Sequence, residues 1–158
     1  MSEKRCALIT GASAGIGAEF ARQLAALDMN LVLVARRVDR LEQVAQPLRV
    51  RHGIEVQCLE ADLSDRDVPQ HIFERIEAAG WQVDWLINNA GASGPNLLEK
   101  PGFAQHADFL ELMLTSVAHM CHLFAPLMRE RGFGRIINVA SVAGRMIRSG
   151  DHSYGPTK

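Results

Sequence analysis

Three polar residues near the end of the sequence have types and spacing suited to proton transfer. Tyr154 and Lys158 are four residues apart, so a helix would place both side chains on one face. A phenol with its usual pKa of about 10 is a poor acid–base group near neutrality, but an adjacent ammonium stabilises the phenolate. Ser141, further upstream, offers a hydroxyl that can hold an oxygen on which negative charge develops. An isolated Tyr-x-x-x-Lys is usually a solvated helix face, so these residues alone assign no function.

A glycine-rich segment follows the first apolar run and reads Thr10-Gly11-Ala12-Ser13-Ala14-Gly15-Ile16-Gly17. In a strand-turn-helix unit, such glycines let backbone N–H groups approach a pyrophosphate, and the helix N-terminus adds partial positive charge. The segment therefore predicts a dinucleotide site. Glycines that serve only a tight turn are the plainer alternative.

Two other readings of this turn are weaker. Its Gly-x-Ser-x-Gly pattern, centred on Ser13, also matches the nucleophile elbow of α/β-hydrolases. Such an elbow needs an earlier strand and loop for the second oxyanion donor, and only a short segment precedes Thr10. A phosphate-binding P-loop is excluded because no Gly-Lys-Ser/Thr follows.

The elements that must position these residues alternate along the chain. Apolar runs at 6–9, 31–34, 56–59, 85–87 and 136–139 predict strands, and helical periodicity marks 15–27, 38–51, 65–79 and 108–128. Pro47 is expected to kink or shorten the second helix. Buried strands separated by helices predict an α/β fold, namely a doubly wound parallel sheet (Rossmann fold) in a three-layer α/β/α sandwich, with residues 1–158 as a single domain.

Composition limits the partners and the location. The net charge of -1 provides no field that would recruit nucleic acid or an anionic membrane, and we find no apolar run near the length of a membrane span. The N-terminus lacks a signal peptide, so we predict a cytoplasmic protein. The cysteines, and the pair His119 and His122, lack the spacing and further ligands of a metal site, so no metal is expected.

Beyond these separate signals, the sequence resembles the short-chain dehydrogenase/reductase family. The glycine-rich turn matches the fingerprint Thr-Gly-x-x-x-Gly-x-Gly of that family. Four further motifs agree in order and spacing: Asp62-Leu63, Asn88-Asn89-Ala90-Gly91, Asn138-Val139-Ala140-Ser141, and Tyr154-Gly155-Pro156-Thr157-Lys158. The resemblance extends from Lys4 to Lys158 and implies an oxidoreductase that interconverts a carbonyl and an alcohol by hydride transfer.

The resemblance also implies roles for individual residues. Ser141, Tyr154 and Lys158 would be catalytic: the serine holds the carbonyl oxygen, the tyrosine supplies the proton, and the lysine assists the tyrosine and bonds the nicotinamide ribose. The cofactor-binding residues would be Gly11, Ser13, Gly15, Ile16, Gly17, Asp62, Leu63, Asn89, Ala90 and Gly91, with Tyr154 and Lys158. Members of the family commonly form dimers or tetramers, so a homo-oligomer is expected.

The end of the second predicted strand bears on which dinucleotide is bound. A site that prefers NAD commonly carries an acidic residue there, whereas this strand ends in Arg36 and Arg37. A guanidinium suits a 2′-phosphate and gains nothing from a neutral hydroxyl pair. We therefore expect NADP, bound by Arg36 first and Arg37 second. The alternative is two arginines on a solvated loop.

The sequence departs from the family pattern in two places. Counting twenty-four residues from Asn89 reaches Met113, where the family usually has a catalytic asparagine. Methionine cannot hold the water through which Lys158 is thought to exchange protons, and Thr115 and Ser116 are expected to point elsewhere. The family domain also continues well past Lys158, so we expect this chain to be part of a longer polypeptide and, by itself, not a competent enzyme.

Two further hypotheses remain beside the oxidoreductase. A non-catalytic dinucleotide-binding or regulatory protein with the same fold is favoured slightly by Met113. A serine hydrolase acting through Ser13 is a distant third. The substrate is not specified by this part of the sequence.

Overall fold

The structure, a computed structural model, describes residues 4–96, 98, 102–145 and 153–158. Its centre is a five-stranded parallel sheet of order β3-β2-β1-β4-β5. The strands are β1 (Cys6–Thr10), β2 (Asn30–Ala35), β3 (Val56–Glu60), β4 (Val83–Asn88) and β5 (Arg135–Asn138). The order reverses between β1 and β4, which in a doubly wound sheet opens a crevice at the carboxyl ends of the strands. The predicted fold class is confirmed.

Helices cover both faces of this sheet. They are α1 (Gly15–Ala26), α2 (Val38–His52), α3 (Val68–Ala78), α4 (Phe103–Leu110) and α5 (Ser116–Glu130). A π-helical segment, Glu111–Thr115, joins α4 to α5, and 3₁₀ turns occupy Val142–Arg145 and Gly155–Thr157.

Alternate residues of each central strand enter two separate cores. Ile9 and Leu33 face α1 and α2, together with Leu24 and Leu41. The intervening strand residues pack against α3 and α5 in a second cluster that includes Leu8, Val32, Ile76 and Phe124. Every residue of β1 is buried, which explains why this strand reads as a continuous apolar run in the sequence.

Pro47 neither ends nor shortens α2, so the expectation of a shorter helix was wrong. The helix runs without a break from Val38 to His52. Pro47 and Gln43, whose carbonyl loses its intrahelical partner, both lie on the exposed side. Water can therefore satisfy the carbonyl that proline leaves unbonded.

The helix expected at 108–128 is longer, and its middle is not α-helical. It begins at Phe103, and a buried histidine, His106, occupies a core-facing position of the first turns, which concealed the apolar period. The 28 residues from Phe103 to Glu130 are long and apolar enough to cross a membrane, contrary to the sequence expectation. One such helix is weak evidence for a membrane span, and Met120 and Phe124 pack on the sheet.

Two boundaries differ because aspartate side chains bond to the backbone. β4 starts at Val83, which pairs with Cys6, rather than at residue 85; the register then shifts where the carboxylate of Asp84 accepts the N–H of Cys6 at 2.9 Å. α3 starts at Val68 rather than residue 65. Asp62 accepts the N–H of Ser64 at 3.1 Å and Asp65 that of Asp67 at 3.0 Å, forming turns before the helix.

Candidate active site

A cleft of about 180 Å³ lies at the carboxyl ends of β1 to β4, where the strand order reverses. Eight of the predicted cofactor-binding residues line it, with residues from the same turns and from the π-helical segment. The lining comprises Gly11, Ser13, Ala14, Val34, Ala35, Arg36, Arg37, Ala61, Asp62, Leu63, Ala90, Gly91, Ala92 and Leu112.

The glycine-rich turn is held by close backbone packing. Gly11 has a positive φ of 66°, and a Cβ there would lie 2.8 Å from the Cα of Ala90. A Cβ on Gly17 would overlap the carbonyl oxygen of Gly11 and lie 2.6 Å from Nδ2 of Asn89. These two positions therefore require glycine for the turn to form, independently of any ligand.

The N-terminus of α1 faces this cleft through Ser13 and Ala14. Its N-cap, Ala14, supplies no side-chain hydrogen bond to the first turn. Ile16 is largely exposed beside it. The free N–H groups and the positive end of the helix dipole suit an anionic group such as a pyrophosphate, so the residues present fit a dinucleotide.

Asn89 braces the turn from β4 and does not line the cleft itself. Its Nδ2 donates to the carbonyl oxygens of Thr10 and Gly11 at 3.0 and 3.2 Å. The hydroxyl of Thr10 in turn accepts the N–H groups of Asn89 and Ala90, both at 3.0 Å. Thr10 is buried and was not among the predicted site residues, although it begins the fingerprint.

Arg36 and Arg37 lie at one end of the cleft, after β2. Arg36 is largely exposed, and its Nη1 lies 3.9 Å from Oδ2 of Asp62, at the end of β3. The other carboxylate oxygen of Asp62 accepts the N–H and the hydroxyl of Ser64. At 3.9 Å between exposed groups, the ion pair is weak, so the guanidinium can turn toward a phosphate at small cost.

The predicted catalytic residues lie on two turns that pack together. The turn at Ser141 is closed by the N–H of Ala143, which donates to the Ser141 hydroxyl at 3.2 Å. A Cβ on Gly144 would lie 2.5 Å from the carbonyl carbon of Lys158, and one on Gly155 would lie 3.0 Å from the carbonyl oxygen of Ala143. Both glycines therefore let the two turns meet backbone to backbone.

Lys158 connects the tyrosine to the cleft. Its ammonium lies 5.9 Å from the ring centroid of Tyr154 and donates to the carbonyl oxygen of Val139 at 3.0 Å. It also lies 3.6 Å from the point a Cβ on Gly91 would occupy, and Gly91 lines the cleft. Tyr154 and Lys158 flank a single 3₁₀ turn in the described residues.

The side chains of Met113 and Lys158 both lie close to the Cβ position of Gly91. Met113 is buried, and its sulfur is 3.4 Å from the Cβ position of Gly91. The two polar neighbours do not replace an asparagine there. The hydroxyl of Ser116 donates back to the carbonyl of Leu112 at 2.7 Å, and Thr115 is exposed. A thioether therefore occupies the position at which the family resemblance predicts an asparagine.

Sequence reasoning missed several residues of this site. Ala92 and Leu112 line the cleft although neither belongs to a recognised motif, and Leu112 reaches it only through the fold. Ser153 is tied to the loop after Gly91, with its hydroxyl donating to the carbonyl of Pro95 at 2.8 Å. Only the fingerprint threonine could have been found from the sequence.

The reversed strand order, the glycine turn and the helix N-terminus at the crevice define a Rossmann-type α/β domain. A sequence model of the short chain dehydrogenase family matches residues 5–158. The chain therefore belongs to the short-chain dehydrogenase family.

The chain is also similar to two named proteins and to one solved structure. Nodulation protein G of Rhizobium sp. (strain N33) is 39% identical over 155 residues, which cover 98% of this chain and 61% of that protein. Sulfoacetaldehyde reductase of Chromohalobacter salexigens is 33% identical over 160 residues, covering 97% and 60%. The short-chain dehydrogenase from Sphingobium yanoikuyae in complex with NADPH has a TM-score of 0.88 and 34% identity, covering 98% and 60%. The chain thus spans about three fifths of the length of these proteins.

Proposed function

We propose that this protein is an NADP-dependent oxidoreductase that interconverts a carbonyl and an alcohol. The proposal rests on one observation: the residues of the cleft and the predicted catalytic lysine come together at Gly91. This glycine lines the cleft that contains the glycine turn and Arg36, and the ammonium of Lys158 lies 3.6 Å from its Cβ position. An acid–base pair thus adjoins the inner end of a cleft shaped for a dinucleotide.

In the proposed mechanism, the cleft residues bind and orient the cofactor. The α1 N-terminus and the turn at Gly11 would hold the pyrophosphate, and Arg36 would bond a 2′-phosphate. A bound reduced nicotinamide supplies the hydride for the carbonyl carbon. Family membership and the NADPH complex of the Sphingobium relative support this choice of cofactor.

Proton transfer is assigned to Ser141, Tyr154 and Lys158. Ser141 donates a hydrogen bond to the carbonyl oxygen, and Tyr154 transfers its phenolic proton to that oxygen as the alcohol forms. Lys158, fixed by the carbonyl of Val139, stabilises the phenolate that remains. In the oxidising direction the phenolate accepts the proton of the alcohol.

We further propose that the protein is a cytoplasmic homo-oligomer acting on a small carbonyl or alcohol, without nucleic acid or membrane partners. The net charge of -1 supports the absence of such partners. Membership of the family supports the class of substrate.

A non-catalytic dinucleotide-binding protein is the second candidate, and Met113 is the observation that favours it. A buried thioether beside Lys158 cannot hold a water for proton exchange.

One experiment separates the two. The full-length protein is titrated with NADPH and assayed for NADPH oxidation with a panel of aldehydes and ketones. We expect turnover with at least one carbonyl class. Tyr154→Phe should abolish turnover while NADPH affinity stays within about twofold. Binding without turnover across the panel would favour the second candidate, and turnover retained in Tyr154→Phe would refute the mechanism.

A further inference from the structure

A hydrogen bond joins the residue before Tyr154 to the loop that follows Gly91. The hydroxyl of Ser153 donates to the carbonyl oxygen of Pro95 at 2.8 Å, and 58 residues separate the two in sequence. Pro95 lies in the segment 91–96, which leaves the cleft after β4. The bond therefore connects the residue before the proposed proton donor to the loop that continues from Gly91 and Ala92 in the cleft wall.

The contact is close because Gly94 has no side chain. A Cβ on Gly94 would overlap the hydroxyl oxygen of Ser153 and would lie 2.9 Å from Cζ of Phe109. Phe109 is buried in α4 and supports the loop from behind. The loop is therefore held between the Ser153 hydroxyl on one side and a core aromatic ring on the other.

The turn that carries Tyr154 is short and is closed by Thr157, whose N–H and hydroxyl donate to the carbonyl of Tyr154 at 3.1 and 2.8 Å. It consists of one 3₁₀ turn, and Lys158 ties its far end to the carbonyl of Val139 after β5. The bond from Ser153 to Pro95 holds the near end, from the β4 side. The two bonds thus hold the residues on either side of Tyr154, one toward the loop after β4 and one toward the end of β5.

We propose that Ser153 is a positioning residue that sets the place of the Tyr154 phenol through its hydrogen bond to Pro95. This inference rests on the proposed function, because it assigns Ser153 a role in the same reaction. It predicts an effect on the chemical step and not on cofactor binding, since Ser153 does not line the cleft. Misplacing a reacting group by about 1 Å can cost about a hundredfold in rate.

The test compares Ser153→Ala, Ser153→Thr and Gly94→Ala in the full-length enzyme. Ser153→Ala removes the donor, Ser153→Thr keeps the hydroxyl, and Gly94→Ala displaces the hydroxyl from the opposite side. For each we would measure kcat, KM for the carbonyl, NADPH affinity and urea unfolding. We expect kcat of Ser153→Ala to fall roughly five- to hundredfold, with NADPH affinity unchanged. Ser153→Thr should recover most of kcat.

A double-mutant cycle guards against a merely structural explanation. Gly94→Ala should lower kcat less in the Ser153→Ala background than in the wild type, because only its contact with Phe109 remains once the hydroxyl is gone. Additive losses, or a Ser153→Ala enzyme with wild-type kcat, would overturn the assignment while leaving the proposed function intact. A folded wild type that binds NADPH but reduces no carbonyl would overturn both.

Discussion

Thr10 and Asn89 are joined by two hydrogen bonds between the carboxyl ends of the adjacent strands β1 and β4. The hydroxyl oxygen of Thr10 accepts the backbone N–H of Asn89 at 3.0 Å, and Nδ2 of Asn89 donates to the carbonyl oxygen of Thr10 at 3.0 Å. The first residue ends β1 and the second follows β4, so the pair ties the two strands where the crevice opens. The glycine turn is built on this junction.

Removing the Thr10 hydroxyl should therefore lower the free energy of unfolding by a measurable amount. Thr10→Val keeps the shape but leaves the half-buried N–H groups of Asn89 and Ala90 without their acceptor. A buried unsatisfied group costs about 1–3 kcal/mol, so we expect the two half-buried groups together to lower the free energy of unfolding in urea by about that amount. Thr10→Ser, which keeps the oxygen, should lose much less. Equal losses in both variants would show that packing, and not the hydroxyl, stabilises this junction.

Gly17→Ala should disrupt the cleft itself. The new Cβ would overlap the carbonyl oxygen of Gly11, so the backbone of the turn must shift. We expect NADPH affinity to fall at least tenfold in fluorescence titration. Gly53→Ala is the matched control: Gly53 has φ 61° at the end of α2 and open space around it. It should cost about 1–2 kcal/mol of stability without changing NADPH affinity. Unchanged affinity in Gly17→Ala would contradict the proposed site.

Arg36→Ala tests the choice of cofactor. Losing a charge-assisted hydrogen bond to the 2′-phosphate should weaken NADPH binding about ten- to hundredfold, with little change for NADH. The NADPH affinity of the wild type should also fall with rising salt, since Arg36 is largely exposed. Arg37→Ala serves as the comparison and should have the smaller effect. Equal affinities for NADH and NADPH in the wild type would refute the assignment.

Met113→Asn tests whether the thioether limits proton exchange. An amide at this buried position can hold a water beside the ammonium of Lys158, so we expect kcat to rise while stability falls. Met113→Leu has similar volume without a polar group and should leave kcat near the wild-type value. A kcat that does not respond to asparagine would show that protons reach Lys158 by another route.

The thiols should react slowly in the folded protein. Burial is the main cause that raises the pKa of Cys58, to about 12, with a contribution from Glu42. Burial likewise raises the pKa of Cys6 and of Cys121. Because the thiolate is the nucleophile, iodoacetamide at pH 8 should label all three much faster in urea than in buffer. Native labelling as fast as unfolded labelling at any of them would contradict these pKa directions.

Much of the fold was predictable because the central strands are buried on both faces. β1 and β2 read as continuous apolar runs, and polar or glycine residues follow their carboxyl ends, where parallel strands place a ligand. Cleft residues such as Gly11 and Arg36 were found in this way, whereas Asp62 was found through the family resemblance. Part of the cleft that we propose for a dinucleotide was therefore predictable from local sequence.

The remaining features depend on contacts that local sequence does not record. The residue types of the π-helical segment Glu111–Thr115 do not distinguish it from an α-helix. The buried His106 interrupts the apolar periodicity before it. Leu112 reaches the cleft from that segment only through tertiary packing. The bond from Ser153 to Pro95 joins residues 58 positions apart, so no spacing rule could predict it.

The reversed strand order has a consequence for how the protein folds. Its described strand pairs are all parallel, so none can form as a hairpin between neighbouring segments. Thr10 and Ile87, at the junction of β1 and β4, are 77 residues apart in sequence. Such distant pairings form slowly, because loop-closure entropy is lost before the contacts form. The crevice is thus completed by the most distant of these pairings, and binding of a dinucleotide would report that β1 has paired with β4.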